Sequence, residues 1–411
     1  MERRIYLDNA ATTRVHPDVF TAMTPYFCDV YGNASSIHEA GRNAKHALEQ
    51  ARDQAAAALG CVPQEIVFTG CATEADNWAL RGVAETKRAK GNHIITTTIE
   101  HHAILDTCKA MEKQGFAVTY LPVDGLGRVT PEQVQAAIKP NTILVSIMAA
   151  NNEIGTVEPI AEIGAVCRGA GVLFHTDAVQ AVGHIPVDVN TMNVDLLSLS
   201  GHKLYGPKGV GLLYIRKGVR IPPLIYGGGQ ERKRRAGTEN IPGIVGLGMA
   251  MEYACSHMEQ EAVRLTALRE RLVKGVMESI PYARYNGHPQ HRLPGNAHFC
   301  FEFVEGEALL LMLDMKGISA SSGSACTSGS LDPSHVLLAI GQSHEIAHGS
   351  LRLTMGEDTT EADVDYVIAV LLGIVQRLRE MSPLYDDFVK TGRRPRMAAE
   401  TIDEGPGHED M

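Results

Sequence analysis

No two of the eight cysteines form a C-x-x-C pair; they stand far apart, at positions 28, 61, 71, 108, 167, 255, 300 and 326. That spacing excludes a zinc ribbon and a dithiol redox motif. Eight thiols in 411 residues are also too few to staple a secreted scaffold, so a reducing cytoplasm is the expected compartment. The opening MERRIYLDNAATT has no apolar h-region, so no secretory signal is expected. No uninterrupted apolar run reaches the roughly 18 residues of a membrane span. Positive charge is scarce as well. The 38 Lys and Arg against 48 Asp and Glu leave a formal charge of −10, which gives no electrostatic reason to expect nucleic acid. Apolar residues, by contrast, make up 44% of the chain. That suffices for a large core and for two or three packed units at ~100–200 residues each.

The apolar residues alternate between two patterns. Residues 43–59 place Ala44, Ala47, Leu48, Ala51, Ala55 and Leu59 at helical spacing, with Gly60 as the stop. Short apolar runs then recur at 65–69, 93–98, 118–123, 142–148, 172–177, 194–200 and 209–215. Helix-length segments lie between many of them. Buried runs separated by helices predict βαβ units and a mostly parallel sheet covered on both faces. Residues 15–258 therefore read as one large α/β domain. After that the balance shifts, with a long amphipathic helix over 259–280, strands at 297–303 and 349–355, and a terminal helix. Residues 1–14 and 259–385 read as a smaller α+β domain, and 386–411 as a disordered tail.

Chemistry concentrates at strand ends. In SLSGHKLYGPKGVG (198–211) a strand runs into Ser200, His202 and Lys203, where α/β sheets place ligands. Alone, Lys203 is an ordinary loop lysine; its company changes the reading. Lysine amines form Schiff bases with carbonyls, and a pyridoxal phosphate (PLP) enzyme needs such a lysine, a carboxylate for the pyridine nitrogen and a phosphate anchor. HTDAVQA (175–181) supplies Asp177 at a strand end and Gln180 a turn later. GCATEADN (70–77) opens a helix after a strand, so its backbone and the Thr73 hydroxyl can approach a phosphate. His101 and His102 follow another strand, where an imidazole can stack on a ring and shuttle protons. The bland alternatives are an Asp cap, an N-cap and structural histidines.

Taken together, YLDNAATT, GNASSIH, CATEADN, EHHA, ANNEIGT, HTDAVQA, SGHKLYGPKG, RRAGTEN and SSGSACTSGSLDPSHV resemble, in order over about residues 5–380, the cysteine desulfurases. These are fold-type I, class V aminotransferase-like PLP enzymes. LSLSGHKL, GGGQERKRRAGTENI and SACTSGSLDPSHVL are most similar to their nitrogen-fixation (NifS-type) branch. The resemblance implies a large domain on a mostly parallel seven-stranded sheet and a homodimer. It implies that Lys203 holds PLP, that Asp177 pairs with the pyridine nitrogen and Gln180 with the phenolic oxygen, and that His101 stacks on the ring. Ala72, Thr73, Ser200 and His202 are implied to bind the phosphate, with Thr238 reaching the phosphate of the neighbouring subunit. Asn152 is implied to lie beside the ring and Arg352 to clamp the substrate carboxylate. Cys326 becomes the nucleophile and, by the same resemblance, a transient iron–sulfur ligand. The implied reaction converts L-cysteine to L-alanine and a Cys326 persulfide, supplying an iron–sulfur scaffold protein or another sulfur acceptor, with a nitrogenase-related role.

Cys326 has support of its own. Residues 319–332 are rich in Ser and Gly with little to pack, the composition of an exposed arm. The other seven cysteines fall mostly in helical or strand contexts, where inert buried thiols are expected. Two signals compete. His344-Glu345-Ile346-Ala347-His348 matches the zinc motif H-E-x-x-H, but glycines bracket it and no third ligand follows. Arg232-Lys233-Arg234-Arg235 could be a nucleic-acid patch, though the acidic chain and nearby Thr238 favour local contacts. A non-enzymatic sulfur carrier would need the Cys326 arm but not Lys203, Asp177 and Thr73 together.

Overall fold

All seven apolar runs form strands of one sheet. The structure, a computed structural model, describes residues 4–322 and 333–392. Its strands in chain order are β1 (Ile5–Tyr6), β2 (Ile66–Thr69), β3 (His93–Thr97), β4 (Ala117–Leu121), β5 (Thr142–Ser146) and β6 (Leu173–Asp177). They continue with β7 (Leu196–Ser200), β8 (Gly211–Ile215), β9 (Ala283–Tyr285), β10 (Asn296–Phe301), β11 (Ile318–Ser319) and β12 (Ser350–Thr354). The large sheet has the order β2-β8-β7-β6-β5-β3-β4. Its strands are parallel except β8, which runs against both β7 and β2.

The period of two explains why both faces are covered. Val67, Ile94, Leu144, Leu196 and Leu213 point to one side, against Trp78 and Ile104. Phe68, Ile95, Val145, Leu197 and Leu212 point to the other, against Ala47, Ala51 and Leu247. On that second side the helix Glu39–Leu59 lies against the helix Ile241–Ser279. Their approach is close: a Cβ at Gly248 would stand 2.7 Å from the Ala51 Cα. The alanine stripe along 44–55 is therefore what lets the two helices touch.

A second core surrounds the antiparallel sheet β12-β10-β9 and the short parallel pair β1-β11. It is built from Phe299, Phe301, Leu351 and Leu353 with the helix Glu361–Glu380. The helix expected from residue 259 begins earlier, and the boundary read near 258 falls within it, where the packing passes from Ala254 in the first core to Leu265 in the second. One 39-residue helix, Ile241–Ser279, runs from the first core to the second, with Leu247 and Met251 in one and Leu268 and Leu272 in the other. No proline follows Pro242 to interrupt it.

The tail also needs correction. Residues 386–391, expected in a disordered segment, belong to a helix, Pro383–Thr391. Its period carries Tyr385 and Phe388 onto an aromatic group. Phe388 stacks on Phe303 with ring centroids 5.0 Å apart and meets the Tyr282 ring edge-on at 5.2 Å. Residues 393–411 lie outside the described residues. Phe388→Ala is expected to cost on the order of 1–2 kcal/mol and to release this helix. Faster limited proteolysis within 383–391, with the remaining chain intact, is the measurement that checks it.

Candidate active site

The C-terminal ends of β5, β6 and β7 meet the N-terminus of the helix Ala72–Lys87 around a cavity of about 380 Å³. This is the sheet edge at which α/β folds bind ligands. Strand β7 delivers Ser200, and a 3₁₀ turn over Gly201–Lys203 then swings Lys203 into the cavity. Its Nζ donates to the carbonyls of Ala10 and Ala11 at 2.6 and 2.7 Å. The neighbouring strand β6 ends in Asp177, which lies beside Ser198 of β7 in register. One Asp177 carboxylate oxygen accepts from the Val179 amide at 2.9 Å. Burial raises this acid to about 6, opposed by the Val179 N–H and the Lys203 ammonium.

Other expected residues line the same cavity. Gln180 donates to the Ala10 carbonyl at 3.0 Å. Ala72 and Thr73 form the first turn of their helix, whose leading N–H groups have no intrahelical acceptor. Ser200 is buried, and its hydroxyl has no hydrogen-bond partner among the described residues. His202 sits nearby with Nδ1 3.2 Å from the Thr12 hydroxyl; burial and the ammonium groups of Lys203 and Lys208 lower it to about 4.

His101 caps the helix His102–Glu112, its Nδ1 accepting from the Ala103 amide at 3.1 Å. Burial, then Lys203, pushes this imidazole down to about 4, so it is neutral near pH 7. Since Nδ1 accepts, the proton of the neutral ring is assigned to Nε2.

The opposite wall comes from the second core. Arg352 on β12 is buried; Nη1 donates to the Asn152 carbonyl at 3.0 Å and Nη2 to Asp8 Oδ1 at 2.9 Å. Asn152 is held by a turn that Asn151 shapes, accepting from the Glu153 and Ile154 amides and donating to the Ile99 carbonyl, each at 2.9 Å. Gly155 closes that turn at φ +75°, and a Cβ there would come within 2.5 Å of Asn296 Oδ1. Both conditions demand glycine.

Two expected residues are not part of this group. Thr238 is exposed and does not line the cavity of its own chain. Cys326 lies outside the described residues. The chain on either side of it is nevertheless tied to the site. Ser321 pairs with Arg352 in an antiparallel bridge. The Ser334 hydroxyl donates to the buried Glu153 carboxylate, and His335 Nε2 donates to the Glu100 carbonyl at 3.0 Å. A second cavity of about 440 Å³ lies across the Thr12–Arg14 segment and contains none of the expected residues.

Several functional neighbours escaped the sequence reading. Asp8, Ala10 and Ala11 belong to YLDNAATT, yet nothing local marks them as partners of Arg352 and Lys203. Asp76 lines the cavity in full burial, with Oδ1 3.6 Å from His175 Nε2. Burial and the Asp177 charge raise its affinity for a proton. Glu100 is also fully buried, accepting from the Thr97 hydroxyl at 2.7 Å and the Met148 amide at 3.1 Å. Burial outweighs those two bonds and lifts it to about 8.

The cysteine reading holds only in part. Cys108, Cys167 and Cys300 are buried, with burial pushing each thiol up to about 12. Cys28 and Cys71, however, are exposed. Cys71 is the N-cap of the helix Ala72–Lys87 and faces the cavity, because that helix starts at the open sheet edge. The zinc motif folds as a five-residue helix, His344–His348. Among the described residues no group of three or more His, Cys, Asp and Glu side chains could hold a metal ion. No helix among them is long and apolar enough to cross a membrane.

A lysine and a buried carboxylate on adjacent strand ends, with a helix N-terminus at the same edge, define a PLP site of the fold-type I class. The unpartnered Ser200 hydroxyl beside that N-terminus fits a phosphate acceptor, so the residues present suit the group. The aminotransferase class-V family pattern matches residues 5–367, and the chain belongs to that family and, within it, to the cysteine desulfurases. It is 57% identical over 382 residues to a cysteine desulfurase IscS from Methanosarcina thermophila, covering 93% of this chain and 94% of that protein. A solved NifS-like protein aligns with a TM-score of 0.86 at 42% identity, over 91% of this chain and 100% of its own. The structure of SspA in complex with cysteine aligns at 0.76 and 39%, over 85% and 98%. The family cofactor is PLP.

Glu100 gives a pH prediction. The folded chain keeps this proton up to about pH 8, whereas the unfolded chain releases it near the ordinary 4.5. Between those values the native state binds more protons, so stability falls as pH rises. Glu100→Gln removes the difference while keeping the acceptor for Met148. Its thermal midpoint should therefore drop less than that of wild type between about pH 6 and pH 8.

Proposed function

We propose that the chain removes sulfur from L-cysteine, giving L-alanine and a persulfide on Cys326. The observation that carries this is one cavity joining Lys203, Asp177 and the unpartnered Ser200 hydroxyl to Arg352, with the flanks of the Cys326 segment anchored on its wall. PLP, when bound, offers an aldehyde for amines and an electron sink at the substrate α-carbon. Ala72, Thr73, Ser200 and His202 would hold its phosphate, and Gln180 its phenolic oxygen. The Asp177 carboxylate would keep the pyridine nitrogen protonated, with neutral His101 placed to lie against the ring.

The remaining work belongs to the side chains. Arg352 and Asn152 fix the substrate carboxylate, with the guanidinium already oriented by Asp8 and the Asn152 carbonyl. Lys203 Nζ anchors the cofactor and moves the proton at the substrate α-carbon. The Cys326 thiolate then attacks the substrate sulfur. An S–S bond forms and the C–S bond breaks, and the electron pair left on the former β-carbon takes up a proton to become the alanine methyl. His101, neutral and protonated on Nε2, is placed to move protons in these steps.

We further assign the enzyme to a cytoplasmic homodimer in which Thr238 reaches the phosphate of the neighbouring subunit. The exposure of Thr238 away from its own cavity supports that reading. The persulfide carries sulfur in the form that an iron–sulfur scaffold protein consumes, with Cys326 as a transient ligand to the growing cluster. A nitrogen-fixation role rests on the sequence stretches alone.

Anaerobic turnover of cysteine, followed by mass mapping, tests the assignment. Cys326→Ala should retain the visible PLP band while alanine release falls by about a hundredfold or more. Lys203→Ala should lose that band. Normal alanine release by the Cys326 variant is the result that contradicts the proposal.

A further inference from the structure

Residues 231–233 form the most constrained stretch of backbone among the described residues. Glu231, Arg232 and Lys233 have φ of 44°, 58° and 65°, three consecutive non-glycine residues in the left-handed region. There the Cβ crowds the following carbonyl, so isolated segments avoid it. Such a turn persists only if its surroundings over-determine it, and here two ion pairs do so.

Glu231 is buried although it lies in a surface turn. Its two oxygens accept from Arg52 Nη1 and Nη2 at 2.9 and 2.8 Å, a parallel fork, and one also accepts from the Phe68 amide at 3.0 Å. Arg52 belongs to the helix Glu39–Leu59 and is itself buried. Four residues on, Arg235 makes a second fork, its Nε and Nη2 reaching Glu74 at 2.9 and 3.2 Å. Glu74 stands next to Thr73 in the phosphate-binding turn and also accepts from the Gly70 amide at 2.8 Å. Between the two forks the backbone is bent sharply; just past them Ala236 is buried and Thr238 is exposed. A turn pinned this firmly by buried charge, yet ending in an exposed hydroxyl, is built to aim that hydroxyl outward.

We propose that Glu231, held by Arg52, is a positioning residue that aims Thr238 at the cofactor phosphate of the neighbouring subunit. The proposal rests on the trans assignment of Thr238 made above. It has a distinctive consequence. Damage at Glu231 weakens cofactor retention in the partner's site, not in the site of the chain that carries the substitution.

Mixed dimers with two tags separate the cases. Lys203→Ala silences the visible PLP band of one subunit, so the band reports only the other site. When a Lys203→Ala subunit is paired with a Glu231→Gln subunit, the reporting site receives Thr238 from a chain with intact Glu231. Its band should decay, in the presence of a PLP trap, as slowly as in a Lys203→Ala/wild-type dimer. When Lys203→Ala and Glu231→Gln share one chain and the partner is wild type, the band should decay about tenfold faster.

The opposite pattern, with fast loss following the reporting subunit's own Glu231, overturns the proposal. Thr238→Ala in the same two pairings isolates the underlying reading. If Thr238→Ala acts in trans while Glu231→Gln acts in cis, the positioning role fails and the trans assignment stands. If Thr238→Ala acts in cis or is silent, both fail. Should Glu231→Gln not fold, Arg52→Lys replaces it, since it keeps the charge and removes the fork; the same trans pattern is expected.

Discussion

The site depends on a short stretch of chain, Asp8 to Thr13, that grips both cations at once. Asp8 binds the Arg352 guanidinium from the second core, and the carbonyls of Ala10 and Ala11 bind the Lys203 ammonium at the edge of the large sheet. The stretch is itself stitched to both sides. Asn9 and Ala10 amides bond to Thr354 of β12, at 3.3 Å to its carbonyl and 2.9 Å to its hydroxyl. The Thr13 amide bonds to the His202 carbonyl at 2.8 Å. Two cores that share one long helix are thus registered, at the reacting end, by six residues of N-terminal chain.

Beneath the cavity, the problem is too many acids. Asp76, Glu100 and Asp177 are all buried, and ionising three carboxylates together in a low dielectric is prohibitive. The surroundings choose among them. Asp177 has a backbone N–H and the Lys203 ammonium to stabilise its charge. Among the described residues Glu100 has hydrogen bonds but no cation, and its second oxygen has no partner. Asp76 adjoins His175, which burial lowers to about 3 and which bonds to the hydroxyls of Ser146 and Ser198 at 2.9 and 3.0 Å. A neutral imidazole between hydroxyls gives Asp76 no counter-charge. The negative charge therefore concentrates on Asp177, where, in the proposed site, a protonated pyridine nitrogen would need it.

Much of this was legible in the sequence because strand ends carry both the fold signal and the chemistry. Each apolar run gave a strand within a few residues, and the polar residues at or just after the ends of two of them, Asp177, Ser200 and Lys203, line the candidate site. What stayed hidden depends on contacts across the chain. Asp8 meets Arg352 after 344 residues, and no local period announces that. The exposure of Cys71 follows from where its helix begins relative to the sheet edge, which hydropathy does not encode. The continuous helix 241–279 was cut short because its glycine-rich first half weakens the amphipathic pattern, whereas packing on the alanine stripe favours small residues there. The last helix was missed because Tyr385 and Phe388 find their partners in Tyr282 and Phe303, far upstream in the chain, where no local period announces them.

The arrangement around Arg352 shows why a buried arginine can serve a reaction and not only a fold. A guanidinium taken from water needs acceptors, and a site that left it bare would distort or fill with solvent. Here one terminal nitrogen is committed to a main-chain carbonyl and the other to a carboxylate with side-chain exposure of 21%. The carbonyl sets the plane of the fork, on a turn that Gly155 and Asn151 make rigid. Asp8 is less buried than Arg352, so in the proposed reaction it would be the acceptor that the substrate carboxylate rivals. Orientation is thereby settled before the substrate arrives, and the ordering cost at the moment of binding is correspondingly small. The same logic holds at Lys203, whose amine the Ala10 and Ala11 carbonyls orient at 2.6 and 2.7 Å.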